Sequence, residues 1–227
     1  MPITLFHCLS ARSFRPLWAL EELGLAYTLR LLPFPPRVHD KSYFEQNPLG
    51  TVPLLVDGEG PDAVRMSESA AICQYIAARH GAGTLDVGVN EADYGAYLNY
   101  LHFGEATLTF PQTLVLRYRF FEPAERRQPQ VADDYAKWFL ARLRTLELRL
   151  QGREWLSAGR FTAADISVGY ALLLAQHLEL HTQFTPAVAA YWQRLQQLPS
   201  YQRAQALQFE AAQAQGVPLI AAPDLRP

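Results

Sequence analysis

Short apolar runs rich in branched and aromatic residues alternate with helically spaced ones up to about residue 80, and from Asn90 onward only the helical spacing remains. Ile3 to Cys8 reads as a strand, and Leu9-Ser10-Ala11-Arg12-Ser13 follows it as a loop. The pattern predicts a helix from about Phe14, because Pro16 fits a first helical turn and Phe14, Leu17, Trp18, Leu20 and Leu23 supply one apolar side. Gly24 stands where a helix C-terminus ends. Ala26 to Leu32 is a second strand, so the opening is β-α-β, whose right-handed crossover favours parallel pairing. Pro33 to Pro36 reads as a surface loop and Lys41 to Gln46 as a short helix. Two more strands, about Leu54 to Asp57 and Ala63 to Met66, flank a Gly/Pro/Asp turn. A helix from Ser67 to about Arg79 carries Ala71, Ile72, Tyr75 and Ile76 at helical spacing, and His80 to Gly83 breaks it. The product is a small mixed sheet with helices packed on it.

Past Asn90, Tyr94, Tyr97, Leu98, Leu101, Glu105 and Leu108 fall on one helical stripe, which Pro111 ends or kinks. Glu105 in that stripe lines a polar groove or dimer seam, or else turns to water; the spacing leaves both open. After a polar break from Pro123 to Pro129, a helix from about Val131 to Leu150 turns Tyr135, Phe139, Leu143, Leu146 and Leu150 inward. Phe161-Thr162-Ala163-Ala164-Asp165 has the form of a capping box, with Thr162 and Asp165 in the reciprocal roles. This makes Asp165 structural and not a general base. The nearly all-apolar helix from Ile166 to Leu178 is the predicted core of this half. Pro186 to Gln197 and Ser200 to Leu207 complete the helices, and the tail from Gly216 has no usable periodicity.

Composition narrows the class. Apolar content of 49% with 19% charged residues is that of a globular chain, and a formal net charge of -2 gives no basic footprint for nucleic acid or an anionic membrane. No apolar run approaches the roughly 20 residues of a membrane span, and ITLFHCLSA reads as a strand, not a signal peptide. Cys8 and Cys73 show neither a CxxC nor a metal spacing, so a reduced cytoplasmic protein without a metal site is expected.

Four features taken together carry a resemblance: the β-α-β opening, NPLGTVP at Asn47 to Pro53, MSESAAI at Met66 to Ile72, and FTAADIS at Phe161 to Ser167. In this order they resemble the cytosolic glutathione transferases, over about the first 80 residues and again near 155 to 205. The resemblance implies a thioredoxin-like α/β domain over residues 1–80 and an all-α domain over residues 90–227. It further implies a cytoplasmic homodimer, and conjugation of the glutathione thiolate to small apolar electrophiles. Isomerisation, dehalogenation or peroxide reduction with the same thiol, and a non-enzymatic interaction module, are the other readings.

The site residues follow from that resemblance. A cis bond before Pro53 would turn Val52's N–H and C=O toward the cysteinyl amide of glutathione, like an added strand. Glu68 and Ser69 stand at a helix N-terminus, where amides and the helix dipole attract a carboxylate; Glu68 would take the γ-glutamyl ammonium. Ser67 capping alone is the plainer account of that turn. His39, with Lys41, would reach the glycyl carboxylate or lie in solvent. The segment Ser10 to Arg15 is similar to the zeta-class serine loop, in the broader bacterial-type group with serine sites of zeta and theta kind. Ser10 is thus the catalytic candidate and Ser13 the runner-up, since Ala11 and Arg12 replace a serine and a cysteine of the zeta pattern. A serine hydroxyl donates to the sulfur and lowers a thiol that otherwise titrates at about 8.5, with Arg12 or Arg15 adding positive potential. Ser10 as a mere loop cap stays open. Tyr100, Phe103 and Thr107 would shape the electrophile pocket, or be core. Glu105-Ala106-Thr107 lacks the histidine that beta-class relatives place there.

Overall fold

The computed structural model describes residues 2–225. In chain order it comprises β1 (Ile3–His7), α1 (Phe14–Leu23), β2 (Tyr27–Leu31), the one-turn α2 (Pro36–His39), β3 (Leu54–Asp57), β4 (Val64–Met66) and α3 (Ser69–His80). There follow α4 (Tyr94–His102), α5 (Phe110–Leu116), α6 (Pro129–Leu150), α7 (Ala163–His177), α8 (Pro186–Gln196) and α9 (Pro199–Ala214). Two compact units result: the residues up to Ala82 with Leu198–Ala222, and Gly83–Gln197 with the residues after Ala222.

The first unit is a four-stranded mixed sheet of order β2-β1-β3-β4. β1 runs parallel to β2, as the β-α-β crossover requires, while β3 is antiparallel to both β1 and β4. α1 buries Phe14, Leu17, Trp18 and Leu20 completely. It ends at Gly24, whose φ of 60° lets the Leu25 N–H return to the Leu20 carbonyl at 3.1 Å. α3 begins two residues later than the sequence reading, because Glu68 (φ -86°, ψ 112°) is still extended and takes the cap position that Ser67 was given.

α9 belongs to this unit. The sequence reading had placed everything from residue 90 onward in the helical domain and stopped this helix at Leu207. Its polar run of Gln, Ala and Glu has good helix propensity but little apolar stripe, so periodicity underestimates it. Tyr201 packs edge-on against Trp18 at 5.0 Å, and Trp18 Nε1–H donates to Ser200 Oγ at 3.0 Å. Past the helix end, the Gln215 amide accepts the Leu31 N–H and donates to the Leu29 carbonyl, both at 2.9 Å, satisfying the open edge of β2.

The second unit is all helical. Pro111 does not end its first helix. Helical structure runs from Tyr94 to Phe121, widening into π-turns at Phe103–Thr109 and Arg117–Phe121. A wide turn just ahead of the proline shifts the carbonyl register that its ring would otherwise strike. Thr109 Oγ1 donates to the Gly104 carbonyl at 2.7 Å, and Gln112 Nε2 donates to the Leu108 and Ala171 carbonyls. α7 is the core, as its apolar run predicts, and it approaches this helix closely at Gly104. A Cβ there would lie 2.5 Å from the Ser167 backbone, and Ser167 Oγ donates to the Leu101 carbonyl at 2.6 Å. On α6, Phe139, Leu143, Leu146 and Leu150 are buried as predicted, whereas Tyr135 is half-buried and stacks on the exposed Trp138 at 5.2 Å.

Candidate functional site

Strand directions bring four separate stretches to one end of the sheet. Phe6 of β1 faces Leu54 of β3, so the loop after β1 and the residues before β3 share that end. Leu55 faces Met66, so the start of α3 arrives there too, and the parallel β2 delivers the Pro33 to His39 loop to the same side. Ser10, Val52, Ser69 and His39, distant in sequence, thus come from one edge.

The bond between Val52 and Pro53 is cis, and so is that between Phe34 and Pro35. The approach to Val52 is braced from below. Thr51's carbonyl accepts from Tyr43 Oη at 2.9 Å and from Asn47 Nδ2 at 2.8 Å, while Asn47 Oδ1 accepts the Leu49 N–H. Val52's side chain packs against the cluster of Cys8, Ala11, Leu32, Tyr43, Leu54 and Ala222. Among the described residues no backbone hydrogen bond uses Val52's N–H or C=O, so both can pair with an extended ligand.

At α3, Glu68 makes no side-chain capping bond and is exposed. Ser69 is buried, and its Oγ accepts from Arg15 Nη1 at 3.1 Å. That bond occupies a lone pair and leaves the serine proton to donate. A fully buried guanidinium behind an uncapped helix start strengthens the positive potential of the dipole, which suits a carboxylate. Arg12 is half-buried on the neighbouring loop, and His39 is exposed on α2.

The two serines of the β1–α1 loop have different surroundings. Ser10 is buried and left-handed, φ 52°, which is uncommon for a residue with a Cβ. Its N–H donates to Gln208 Oε1 at 2.9 Å. Ser13 is fully buried. Its Oγ accepts the Cys8 N–H at 3.3 Å and lies 2.7 Å from His7 Nδ1. The proton positions follow from the partners. Gln208 must turn its oxygen to the Ser10 N–H, so His7 Nε2, 3.1 Å from the same oxygen, carries the hydrogen. Burial lowers His7 to about 4, keeping the ring neutral, and its Nδ1 is then an acceptor. Ser13 therefore spends its one proton on His7.

His7 makes stability pH-dependent. Its folded value lies below the unfolded one, so its contribution is full above about 6.5 and is lost as pH falls to about 4, by about 3 kcal/mol. Asp165, whose carboxyl burial pushes up to about 6, acts in the opposite sense. Comparison with His7→Gln isolates the first effect: the gap in urea midpoint between parent and variant is expected to shrink from pH 7 to pH 4. A constant gap would refute it.

Neither cysteine is poised to react. Cys8 and Cys73 are buried, which raises both thiols, Cys73 to about 12. Among the described residues there is no group of three potential metal ligands, and no helix is long and apolar enough to cross a membrane. In the helical unit, Tyr100 is buried and meets Phe103 edge-on at 5.8 Å, with Arg149 over its ring at 5.6 Å; Thr107 is half-buried.

The family model for the N-terminal domain of glutathione S-transferases matches residues 9–79, the span holding the loop, the cis proline and the start of α3. Glutathione S-transferase GstA of Escherichia coli O157:H7 is 31% identical over 170 residues, 71% of this chain and 76% of that protein. The chain belongs to the glutathione transferase family. Glutathione S-transferase 3 of Schizosaccharomyces pombe is 27% identical over 77% of this chain and 74% of its own length. The transferase fold extends over nearly the whole molecule. A Phanerochaete chrysosporium transferase solved with oxidized glutathione superposes with a TM-score of 0.81 at 22% identity, covering 93% of this chain and 96% of that one. A Lodderomyces elongisporus homolog with two glutathione molecules per subunit gives 0.80 at 21%, covering 91% and 99%.

Sequence reasoning named Ser10, Ser13, Arg12, His39, Val52, Pro53, Glu68 and Ser69 as glutathione-site candidates but passed over His7 and Gln208, which the folded chain brings against the two serines. A histidine closing a buried strand six residues before a serine was the one visible signal. Gln208, deep in a polar helix, gave none.

Proposed function

We propose that this transferase binds glutathione in its first unit and conjugates its thiolate to small apolar electrophiles. Val52 pairs with the peptide backbone of glutathione, and the α3 start takes the γ-glutamyl end, Ser69 and the amides holding the carboxylate and Glu68 the ammonium. Arg12 contributes positive charge toward the thiol, and His39 reaches the glycyl carboxylate. Ser10 is the hydroxyl that donates to the sulfur, as in serine-type transferases. Tyr100, Phe103 and Thr107 of the helical unit are assigned to the electrophile. The same reading keeps the cytoplasmic homodimer that the resemblance implies.

The observation that carries the glutathione assignment is the uncapped α3 start, with buried Ser69 backed by the Arg15 guanidinium. Ser69→Ala removes one donor to the carboxylate and is expected to weaken glutathione binding about tenfold, the worth of one charge-assisted hydrogen bond. Titration calorimetry checks this; an unchanged Kd would remove Ser69 from the site.

A further inference from the structure

The loop that carries Ser10 is held from the far end of the chain. Gln208 on α9 is fully buried and makes three hydrogen bonds. Its Oε1 receives the Ser10 N–H at 2.9 Å and the His7 Nε2–H at 3.1 Å, while its Nε2 donates to Gln205 Oε1 at 2.7 Å. Gln205 Nε2 in turn donates to Tyr201 Oη at 2.9 Å, and Tyr201 is locked against Phe14 and Trp18 of α1. The amide is therefore fixed in orientation at both ends. Between His7 and Ser10, the Leu9 carbonyl accepts the Ala222 N–H at 2.8 Å, a second tie from the C-terminal segment to the same loop.

The direction of these bonds matters. A left-handed serine costs about 1 kcal/mol or more relative to an ordinary backbone and persists only where its surroundings impose it. The Gln208 oxygen, paired with the Ser10 N–H, is one such constraint. The same oxygen fixes the hydrogen of His7 on Nε2, which makes Nδ1 the acceptor that consumes the Ser13 proton. One amide oxygen thus sets the backbone of one loop serine and the hydroxyl of the other.

We propose that Gln208 is a positioning residue of the thiol site: by accepting from Ser10 and His7 together it holds Ser10 in the conformation that faces the sulfur and retires Ser13 from that role. This rests on the assignment of Ser10 to the thiol. Gln208 touches neither substrate; it acts through the loop.

Gln208→Met keeps the volume and removes the acceptor. It is expected to lower kcat for a chloronitroaromatic substrate about tenfold, by misplacing the donor, and to move the apparent pKa in the pH profile of kcat/KM upward by about one unit. The glutathione Kd should stay within about threefold of the parent's, because Val52, Ser69 and Arg15 are untouched. Gln205→Leu, at a half-buried position, loosens the Gln208 amide without emptying the network and should shift the pH profile the same way by less. If Gln208→Met binds glutathione and keeps the parent's kcat and pH profile, the proposal is overturned. Should that variant not fold, an unmoved pH profile in Gln205→Leu overturns it instead. Failure of the underlying reading looks different: Ser13→Ala, and not Ser10→Ala, would then raise the apparent thiol pKa.

Discussion

Ser10→Ala is expected to reduce kcat/KM with a chloronitroaromatic electrophile about 10- to 100-fold near pH 6.5, the range set by one hydrogen bond to a charged group of about 1.5–3 kcal/mol. A free thiol titrates at about 8.5, so at pH 6.5 roughly one molecule in a hundred is thiolate, and the enzyme's task is to raise that fraction. The hydroxyl favours the anion because it donates, and a neutral thiol gains less from the same contact. The loss should therefore narrow as pH rises past the thiol's own value, where solvent alone ionises it. Glutathione should still bind, since the α3 end and Val52 remain. Initial rates from pH 6 to pH 9 check the whole pattern. Full activity at pH 6.5 would sink the Ser10 assignment, and a loss that is uniform across pH would point to a positional effect without thiolate stabilisation.

Asp165→Ala should produce the largest loss of stability. The carboxylate is fully buried and accepts the Leu156 N–H at 3.0 Å, the Thr162 N–H at 2.9 Å, the Thr162 hydroxyl at 3.0 Å and the Tyr191 hydroxyl at 2.7 Å. Two of these donors are backbone amides with little freedom to find another acceptor. Alanine leaves them unsatisfied beneath α7, at about 1–3 kcal/mol for each group that stays dry, and a total of about 4 kcal/mol is expected after relaxation. Asn should recover only part, since its NH₂ would face groups that themselves donate. Urea denaturation of the two variants checks this. A loss under about 1 kcal/mol for Asp165→Ala would mean the cap is dispensable. Burial pushes the Asp165 carboxyl up to about 6 against the pull of its four donors. The part of stability linked to this titration, separate from the hydrogen bonds that alanine removes, is fully present below about 3.8 and is lost as pH rises through about 6.

Both predictions begin from residues that the sequence singles out, yet they differ in how far it reaches. The capping box of Thr162 and Asp165, the glycine stop at Gly24 and the β-α-β opening are set by neighbours a few residues apart, and all three are found as read. The same holds for the strand starting at Leu54, whereas the cis bond before Pro53 is found as the resemblance implied. Local sterics and hydrogen bonds act within one turn, so a short window contains their causes.

What the tertiary structure decided involves partners that no window joins. Arg15 reaches Ser69 across 54 positions and His7 reaches Gln208 across 201. The helix continues past Pro111 through a wide turn, beside which Gln112 reaches a carbonyl on α7, 59 residues away. α9 has too little apolar stripe to reveal its length, and its place in the first unit rests on Tyr201, Gln208 and Gln215 meeting groups at the other end of the chain. Sequence alone named two candidate serines in the loop after β1 and ranked Ser10 ahead of Ser13. The folded chain gives their hydroxyls different surroundings, because a hydroxyl has one proton and that of Ser13 goes to a histidine whose tautomer is set by a glutamine 201 residues away.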